Sequence, residues 1–239
     1  MCGRYTISHT TEEILERFNV LKETFEQLLQ PNYNVAPSQA VPIVAPDSST
    51  EGSGGRILQM ARWGLVPYWI QDPKSIKPFI NARAETVKSK TPFKKCLEKK
   101  RCIIAADGFY EWKKTADGKK IPMRIRLPND ELFGMAGIYD DFTNVEGKIV
   151  RTCAIITVAG NAAMEGIHDR MPAILTREAE DIWLNSEIHD LTALSDLLLP
   201  SAQKLETYAV SSMVNKWSAN SPQCLLPAPE AEQLLLATD

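Results

Sequence analysis

Four short apolar runs follow one another through the middle of this 239-residue chain, and they constrain its fold more than any other feature. Each has the length and the residue types of a β-strand, and residues typical of turns separate them. The runs are Cys102–Ala106, Met123–Leu127, Leu132–Tyr139 and Cys153–Ala159. Strands in succession with helices before and after them are typical of the α+β class. We predict a single compact α+β domain on a mostly antiparallel sheet, open or barrel-like, with peripheral helices.

Helices are predicted on both sides of these strands. Thr10 and Glu13 have the spacing of a capping box, and apolar residues recur at helical spacing from Ile14 until Pro31. Ser48–Gly55 is interpreted as a hairpin connection because small and polar residues separate two apolar runs there. The other predicted elements are helices at Phe93–Lys100, Arg177–Leu184 and Leu191–Leu199 and a strand at Tyr208–Val214.

The chain shows no sign of a membrane span or of an extracellular disulfide framework. No run approaches the roughly 18 apolar residues that a membrane helix needs, and the first residues lack the apolar core of a secretory signal. The five cysteines are odd in number and form no Cys-x-x-Cys pair. We therefore expect a cytoplasmic protein without a structural zinc site. We also expect a monomer without metal or cofactor, with residues 1–226 as one domain and 227–239 as a C-terminal tail.

The formal net charge of −3 argues, taken alone, against nucleic-acid binding, because such proteins usually carry a basic excess. Its distribution argues the opposite. Residues 88–126 hold 13 basic and 4 acidic side chains, whereas residues 127–239 hold 6 basic and 17 acidic ones. Aromatic residues lie close to the basic stretch in sequence: Trp63, Tyr68, Trp69, Phe79 and Phe93. Cations for phosphates beside flat rings for bases are what single-stranded DNA binding requires, although a solvated charged face gives the same count.

Cys2 follows the initiator methionine directly, and a small side chain at this position permits removal of Met1. A free N-terminal cysteine carries an amine with a pKa of about 7.7–8.0 and a thiol with a pKa of about 8.5, so both nucleophiles are partly available at neutral pH. An aldehyde would condense with the amine to a Schiff base, and the thiol could then close a thiazolidine ring. The alternative is that Cys2 is an incidental small residue.

Three further clusters contain side chains that could assist such chemistry. Asn81 can orient a reacting group and Arg83 can bind a phosphate, unless Arg83 and Glu85 are an ordinary surface ion pair. Glu111 lies among aromatic residues directly after a predicted strand, and partial burial there would raise the pKa of its carboxyl and suit it to acid–base catalysis. The alternative is that its side chain points to solvent. His168 lies in a loop after a strand, and histidine is the residue type that suits acid–base chemistry at neutral pH, although a structural role is an open alternative.

Seven segments, taken in order, identify a known family. They are Met1–Arg4, Tyr33–Pro37, Trp63–Pro67, Asn81–Thr86, Cys102–Trp112, Ile167–Pro172 and Val210–Asn215. Together they resemble the SRAP family, the abasic-site processing proteins. The resemblance runs from residue 1 to about residue 215, and it is nearest to the bacterial members in length and loop pattern.

The resemblance implies a covalent reaction with single-stranded DNA that contains an abasic site. Mature Cys2 would form a Schiff base and then a thiazolidine with the ring-opened C1′ aldehyde, which protects the lesion from strand cleavage at stalled forks near the nucleoid, in the SOS response. Asn81 would hold the amine or the sugar oxygens, Glu111 would move protons, and His168 would act as acid or base on the opened sugar. Glu111 would also assist autocatalytic removal of Met1. The implied DNA contacts are Arg4, Tyr68, Trp69, Arg83, Lys90 and Arg170.

Two other functions would use the same residues. An N-terminal-nucleophile cysteine hydrolase, or peptidase, would use Cys2 with Glu111 and His168 as proton carriers on an amide bond. A non-enzymatic module that only binds single-stranded DNA would show salt-sensitive binding without any dependence on Cys2.

Overall fold

The computed structural model describes residues 2–21, 28–47 and 55–229. The strands are β1 (Tyr5–Ile7), β2 (Asn32–Val35), β3 (Ala40–Pro46), β4 (Arg56–Trp63), β5 (Asn81–Arg83), β6 (Arg101–Ala106), β7 (Gly108–Lys114), β8 (Lys120–Arg126), β9 (Phe133–Thr143), β10 (Ile149–Ala159), β11 (Arg170–Pro172), β12 (Ile174–Leu175) and β13 (Glu206–Ala209). The helices are α1 (Thr11–Arg17), α2 (Ala84–Val87), α3 (Phe93–Lys99), α4 (Arg177–Leu184) and α5 (Leu191–Asp196). Across these described ranges, no helix is long and apolar enough to cross a membrane.

Five strands close on themselves into a small barrel. β3 pairs antiparallel with β4 and β6, β6 with β9, and β9 with β10. The parallel pairing of β10 with β4 completes the circuit. β6 is buried at every position, because the barrel interior is filled by side chains and helices cover its outside. The prediction of one compact α+β domain on a mostly antiparallel, barrel-like sheet is confirmed.

A second, antiparallel sheet carries the amino terminus. Its strand order is β13-β8-β7-β1-β2, so the first strand of the chain lies beside β7. Tyr5 pairs with Phe109 of β7, and its ring packs edge-on against Trp63 of the barrel with the ring centroids 5.3 Å apart. This arrangement directs the first residues of the chain towards the contact between the two sheets.

Strand β10 contacts more strands than the barrel requires. Beyond the barrel circuit it pairs with β5 on one side and with β11 on the other, and Thr157 is opposite both Arg83 and Pro172. β5 begins at Asn81, and β11 follows directly after His168 and Asp169. Two segments far apart in sequence are therefore held on either side of a single strand.

The predicted capping box is present at α1. The Thr10 hydroxyl accepts a hydrogen bond from the Glu13 N–H at 3.2 Å, and the Glu13 carboxylate accepts one from the Thr10 N–H at 2.8 Å. The helix ends at Arg17. The predicted continuation towards Pro31 falls partly on residues 22–27, which lie outside the described residues, and residues 28–31 are not helical.

The other predicted elements are largely confirmed. The helices at 93–99 and 177–184 form as expected, and β3 and β4 form the predicted hairpin, whose residues 48–54 lie outside the described part of the chain. The strand predicted at Tyr208–Val214 is wrong beyond Ala209. There the Ser211 hydroxyl accepts a hydrogen bond from the Met213 N–H and starts a short 3₁₀ turn at Ser212–Asn215.

A buried carboxylate joins β1 to β7. Asp107 is fully buried and accepts hydrogen bonds from the Thr6 hydroxyl, from the Ser8 N–H at 2.5 Å and from the Arg124 guanidinium at 3.2 Å. Burial alone would raise the pKa of Asp107, but hydrogen bonds from residues 6–9 hold it below its ordinary value. Asp107 therefore stays ionised and fixes the strand that leads from the amino terminus.

Candidate active site

Cys2 is fully buried, and an amide side chain holds its backbone. Asn81, the first residue of β5, donates a hydrogen bond from Nδ2 to the Cys2 carbonyl oxygen at 2.8 Å. Its Oδ1 atom is also buried and accepts no hydrogen bond from any of the described residues. Asn81 thus holds Cys2 by its donor while its acceptor is available to a ligand that brings its own donor.

Glu111 lies inside β7, opposite Met123 of β8, and it is almost completely buried. Sequence reasoning placed it directly after a strand and did not predict β7. Burial raises the pKa of Glu111, and the charge of His168 partly offsets this. Burial and, next, the charge of Glu111 raise the pKa of the Cys2 thiol. These mutual effects show that Cys2, Glu111 and His168 lie within electrostatic reach of one another.

The loop that ends at Asp169 presents His168. Its Nδ1 atom accepts a hydrogen bond from the Arg170 N–H at 2.9 Å, while Asp169 Oδ1 lies 2.8 Å from the same nitrogen. One nitrogen cannot accept the first bond and donate the second. We assign the first, because the backbone donor is fixed whereas the Asp169 side chain is 86% exposed and hydrated. In its neutral form the imidazole then carries its proton on Nε2, where it can act as a donor.

An ion pair joins the segment of Asn81 to the segment of His168. Arg170 binds Glu85 through both terminal nitrogens, at 2.5 and 3.0 Å, and donates to the Thr157 carbonyl at 2.6 Å. Its side chain is only 12% exposed. The guanidinium therefore reaches across β10 and fastens α2 to β11. The alternative that Arg83 and Glu85 form a surface ion pair with each other is wrong. Glu85 pairs with Arg170 instead, and Arg83 is exposed.

The residues predicted to contact DNA differ in their exposure and in whether they already make hydrogen bonds within the protein. Tyr68 and Trp69 are 50% and 44% exposed and stack edge to face with the ring centroids 5.1 Å apart. Arg83 and Lys90 are exposed as well. Arg4 instead donates to Asn34 Oδ1 at 2.7 Å and to the Val214 carbonyl at 2.6 Å. Arg4, like Arg170, would have to exchange internal acceptors for a phosphate.

The family model described as SOS response associated peptidase (SRAP) matches residues 1–217 of the chain. The chain belongs to the SRAP family. The abasic site processing protein YoqW of Bacillus subtilis (strain 168) is 46% identical over 226 residues, which cover 94% of this chain and 99% of that protein. The abasic site processing protein HMCES of Gallus gallus is 34% identical over 83% of this chain and 66% of its own length. A crystal structure of a Bacteroides thetaiotaomicron protein superimposes with a TM-score of 0.82 at 29% identity, covering 95% of this chain and all of the other.

The basic stretch of this SRAP chain does not form one continuous surface. Arg101 is buried and donates to backbone carbonyls of Trp183 and Asn185, and Arg124 is buried against Asp107. Counting charges along the sequence cannot distinguish such internal cations from exposed ones. Within the described residues, no group of three or more His, Cys, Asp or Glu side chains could hold a metal ion.

Replacing Glu85 by Gln is expected to lower the free energy of unfolding of this SRAP protein by less than about 1 kcal/mol at neutral pH, because Glu85 is more than half exposed. The Arg170 hydrogen bonds lower the pKa of Glu85, so the stability from this pair is present above the ordinary glutamate pKa. It is lost as the pH falls through the lowered pKa. Urea unfolding at neutral and at acidic pH tests this, and a difference that grows towards acid would contradict it.

Proposed function

We propose that this SRAP protein processes abasic sites in single-stranded DNA by forming a thiazolidine between Cys2 and the lesion. The main support is the hydrogen bond from Asn81 to the Cys2 carbonyl at 2.8 Å, which fixes a potential N-terminal cysteine beside Glu111 and His168. Relatives named as abasic site processing proteins support the choice of substrate. On this proposal the protein acts as a monomer in the cytoplasm, at stalled forks near the nucleoid.

The first step is hydrolysis of the Met1–Cys2 peptide bond, which frees the Cys2 α-amine. Glu111 is suited to accept a proton from the attacking water and to return it to the leaving amine, because burial raises its pKa above that of an ordinary glutamate and makes its carboxylate a stronger base. The products are free methionine and a chain that begins with Cys2.

The Cys2 amine then attacks the C1′ aldehyde of the ring-opened sugar to form a carbinolamine. Loss of water gives the imine: protonated Glu111 supplies a proton to the departing hydroxyl, the Nε2–H of His168 donates a hydrogen bond to the same oxygen, and the nitrogen returns its proton to the Glu111 carboxylate. The thiol adds to the imine carbon, and its proton goes to the nitrogen. One aldehyde, one amine and one thiol thus give one thiazolidine and one water, with no oxidant or reductant.

Burial sets the order of the two nucleophiles. Because burial raises the pKa of the Cys2 thiol, the thiol is protonated at neutral pH and is a poor first nucleophile. The amine therefore reacts first, and the thiol follows within the same residue. The same property disfavours the cysteine hydrolase alternative, which requires a thiolate to attack an amide.

DNA binding is assigned first to the exposed groups. Arg83 and Lys90 would contact phosphates, and Tyr68 with Trp69 would stack on or wedge between bases. Arg4 and Arg170 would join them by exchanging their internal acceptors for phosphate oxygens.

A cross-linking gel with single-stranded DNA that holds one abasic site tests this function. Wild-type protein should give a band that survives heat and denaturant. Cys2→Ala and Cys2→Ser keep an α-amine but lack the thiol, so borohydride should still trap their imine while the heat-stable band is lost. Cys224→Ala, which removes a buried thiol elsewhere, serves as the matched control and should behave as wild type. A wild-type protein without a stable band, or a Cys2→Ala protein with one, would refute the proposal.

A further inference from the structure

Trp217 is an exposed tryptophan that the chemistry above does not use. Its side chain is 66% exposed, more than Tyr68 at 50% or Trp69 at 44%, the rings predicted to meet DNA bases. It follows the 3₁₀ turn Ser212–Asn215. A large indole held in water at a defined place in the chain is a ready surface for a flat ligand.

Hydrogen bonds fasten the segment before Trp217 to the amino terminus. Arg4 donates to the carbonyls of Val214 at 2.6 Å and Asn215 at 3.4 Å. Trp112 of β7 donates from Nε1 to the Asn215 side chain at 2.7 Å. Trp217 is two residues beyond Asn215, and Cys2 two residues before Arg4, so each connection adds at most about 7 Å of backbone. Arg4 therefore joins the turn that precedes Trp217 to the segment that carries Cys2.

Exposed lysines lie close to these two tryptophans along the chain and across the β7–β8 ladder. Lys114 is two residues after Trp112 and leaves the same face of β7, and Lys120 is its partner across the β7–β8 ladder. Lys216 precedes Trp217, and all three lysines are exposed. Between Lys114 and Lys120 the only carboxylate is Asp117, which pairs with Lys119 at 2.7 Å. The surface formed by Trp112, Trp217, Lys114, Lys120 and Lys216 therefore combines three exposed lysines with two indole rings, and the carboxylate of the intervening turn is paired with a fourth lysine.

We propose that this surface binds one flank of the lesion-bearing strand, with Trp217 stacking on a base and the lysines contacting phosphates. This inference rests on the proposed function for the position of the lesion at Cys2, but the surface itself recognises undamaged single-stranded DNA. Cations beside exposed rings are the combination that such DNA binds without sequence preference. The Cys2 site fixes the lesion, and the Trp217 surface fixes the direction in which the strand leaves it.

Fluorescence anisotropy tests this surface without any cross-linking chemistry. The probe is a labelled, undamaged oligothymidine of about 20 nucleotides, which is several times longer than one stacking surface covers. Trp217→Ala should weaken binding about 5-fold or more, the loss expected for one stacked base, and Trp217→Phe should restore most of it. Lys114→Ala and Lys216→Ala should each flatten the salt dependence by roughly 0.7 in the logarithmic slope. Leu199→Ala, also at an exposed apolar residue, is the control and should bind as wild type.

A second measurement uses two abasic oligonucleotides of equal length, one with the lesion near the 5′ end and one with it near the 3′ end. Trp217→Ala should slow cross-linking to only one of the two oligonucleotides, the one whose long flank reaches the Trp217 surface. Unchanged affinity of Trp217→Ala for oligothymidine would overturn the inference, whether or not the wild type cross-links. Loss of affinity in Trp217→Ala together with a wild type that does not cross-link would support the surface and refute the proposed function.

Discussion

Replacing Glu111 by Gln, in protein shown by mass spectrometry to begin at Cys2, should slow cross-linking by about 10²- to 10⁴-fold, the range over which general acid–base catalysis contributes. Glutamine keeps the shape and the hydrogen-bonding capacity of the side chain but cannot transfer a proton. The wild-type rate should fall as the pH rises through the raised pKa of Glu111, because the protonated form is lost, and Glu111→Gln should lack this limb. Single-turnover cross-linking over a range of pH measures both effects.

The effect of Glu111→Gln on the cross-linking rate can be separated from its effect on stability. Because the folded-state pKa of Glu111 is raised, its carboxylate lowers stability at pH values above the ordinary glutamate pKa. Glu111→Gln should therefore unfold at a temperature no lower than wild type at neutral pH. Glu131→Gln makes the same change at an exposed position and should keep the wild-type rate. A Glu111→Gln protein that folds and cross-links at the wild-type rate would show that Glu111 transfers no proton in the rate-limiting step.

Replacing Arg124 by Met should lower the free energy of unfolding by about 3–5 kcal/mol, because it removes the fully buried cation of the Asp107 carboxylate and leaves only His9 as a basic partner. Arg124 is fully buried and contacts Asp107 at 3.2 Å, Asp130 at 2.5 Å and the Tyr208 hydroxyl at 2.9 Å. Such a loss is a large fraction of the stability of an ordinary domain. Urea unfolding at neutral pH measures it directly.

The pH dependence identifies the cause. The pKa of Asp107 is lowered in the folded protein, so its contribution is present at neutral pH and is lost as the pH falls through that lowered pKa. The difference between wild type and Arg124→Met should therefore shrink towards acidic pH. Arg126→Met, two residues along the same strand and 24% exposed, should lose at most about 1 kcal/mol. Equal losses in the two variants would rule out the buried pair as the cause.

Local patterns predicted much of the fold. The capping box at Thr10 and the helices at 93–99 and 177–184 depend on residues close in sequence, and they form as expected. The closure of the barrel through β10 and β4 depends on a parallel pairing of distant strands, which no local pattern records. β7 was missed because Asp107 and Gly108 interrupt the apolar run, and a buried Arg124 compensates this interruption from the neighbouring strand.

The residues of the candidate site could be predicted from the sequence, but the contacts that hold them in place could not. Cys2, Asn81, Glu111 and His168 were chosen for their chemistry, and the structure brings them together. The contact of Arg170 with Glu85 was not foreseen, because the two residues meet only across β10. Nor did counting charges reveal that Arg4 would be occupied by carbonyl groups from the far end of the chain. No sequence signal singled out Trp217.

The barrel circuit also has a consequence for the nascent chain. β10 is the last of its five strands to be synthesised, and it holds the segments of Asn81 and His168 in place. While the ribosome is still making residues before 159, the segments of Asn81 and His168 are therefore not yet held in place by this strand. On the function proposed above, Asn81 and His168 should therefore assist the amino terminus only when the polypeptide is nearly finished.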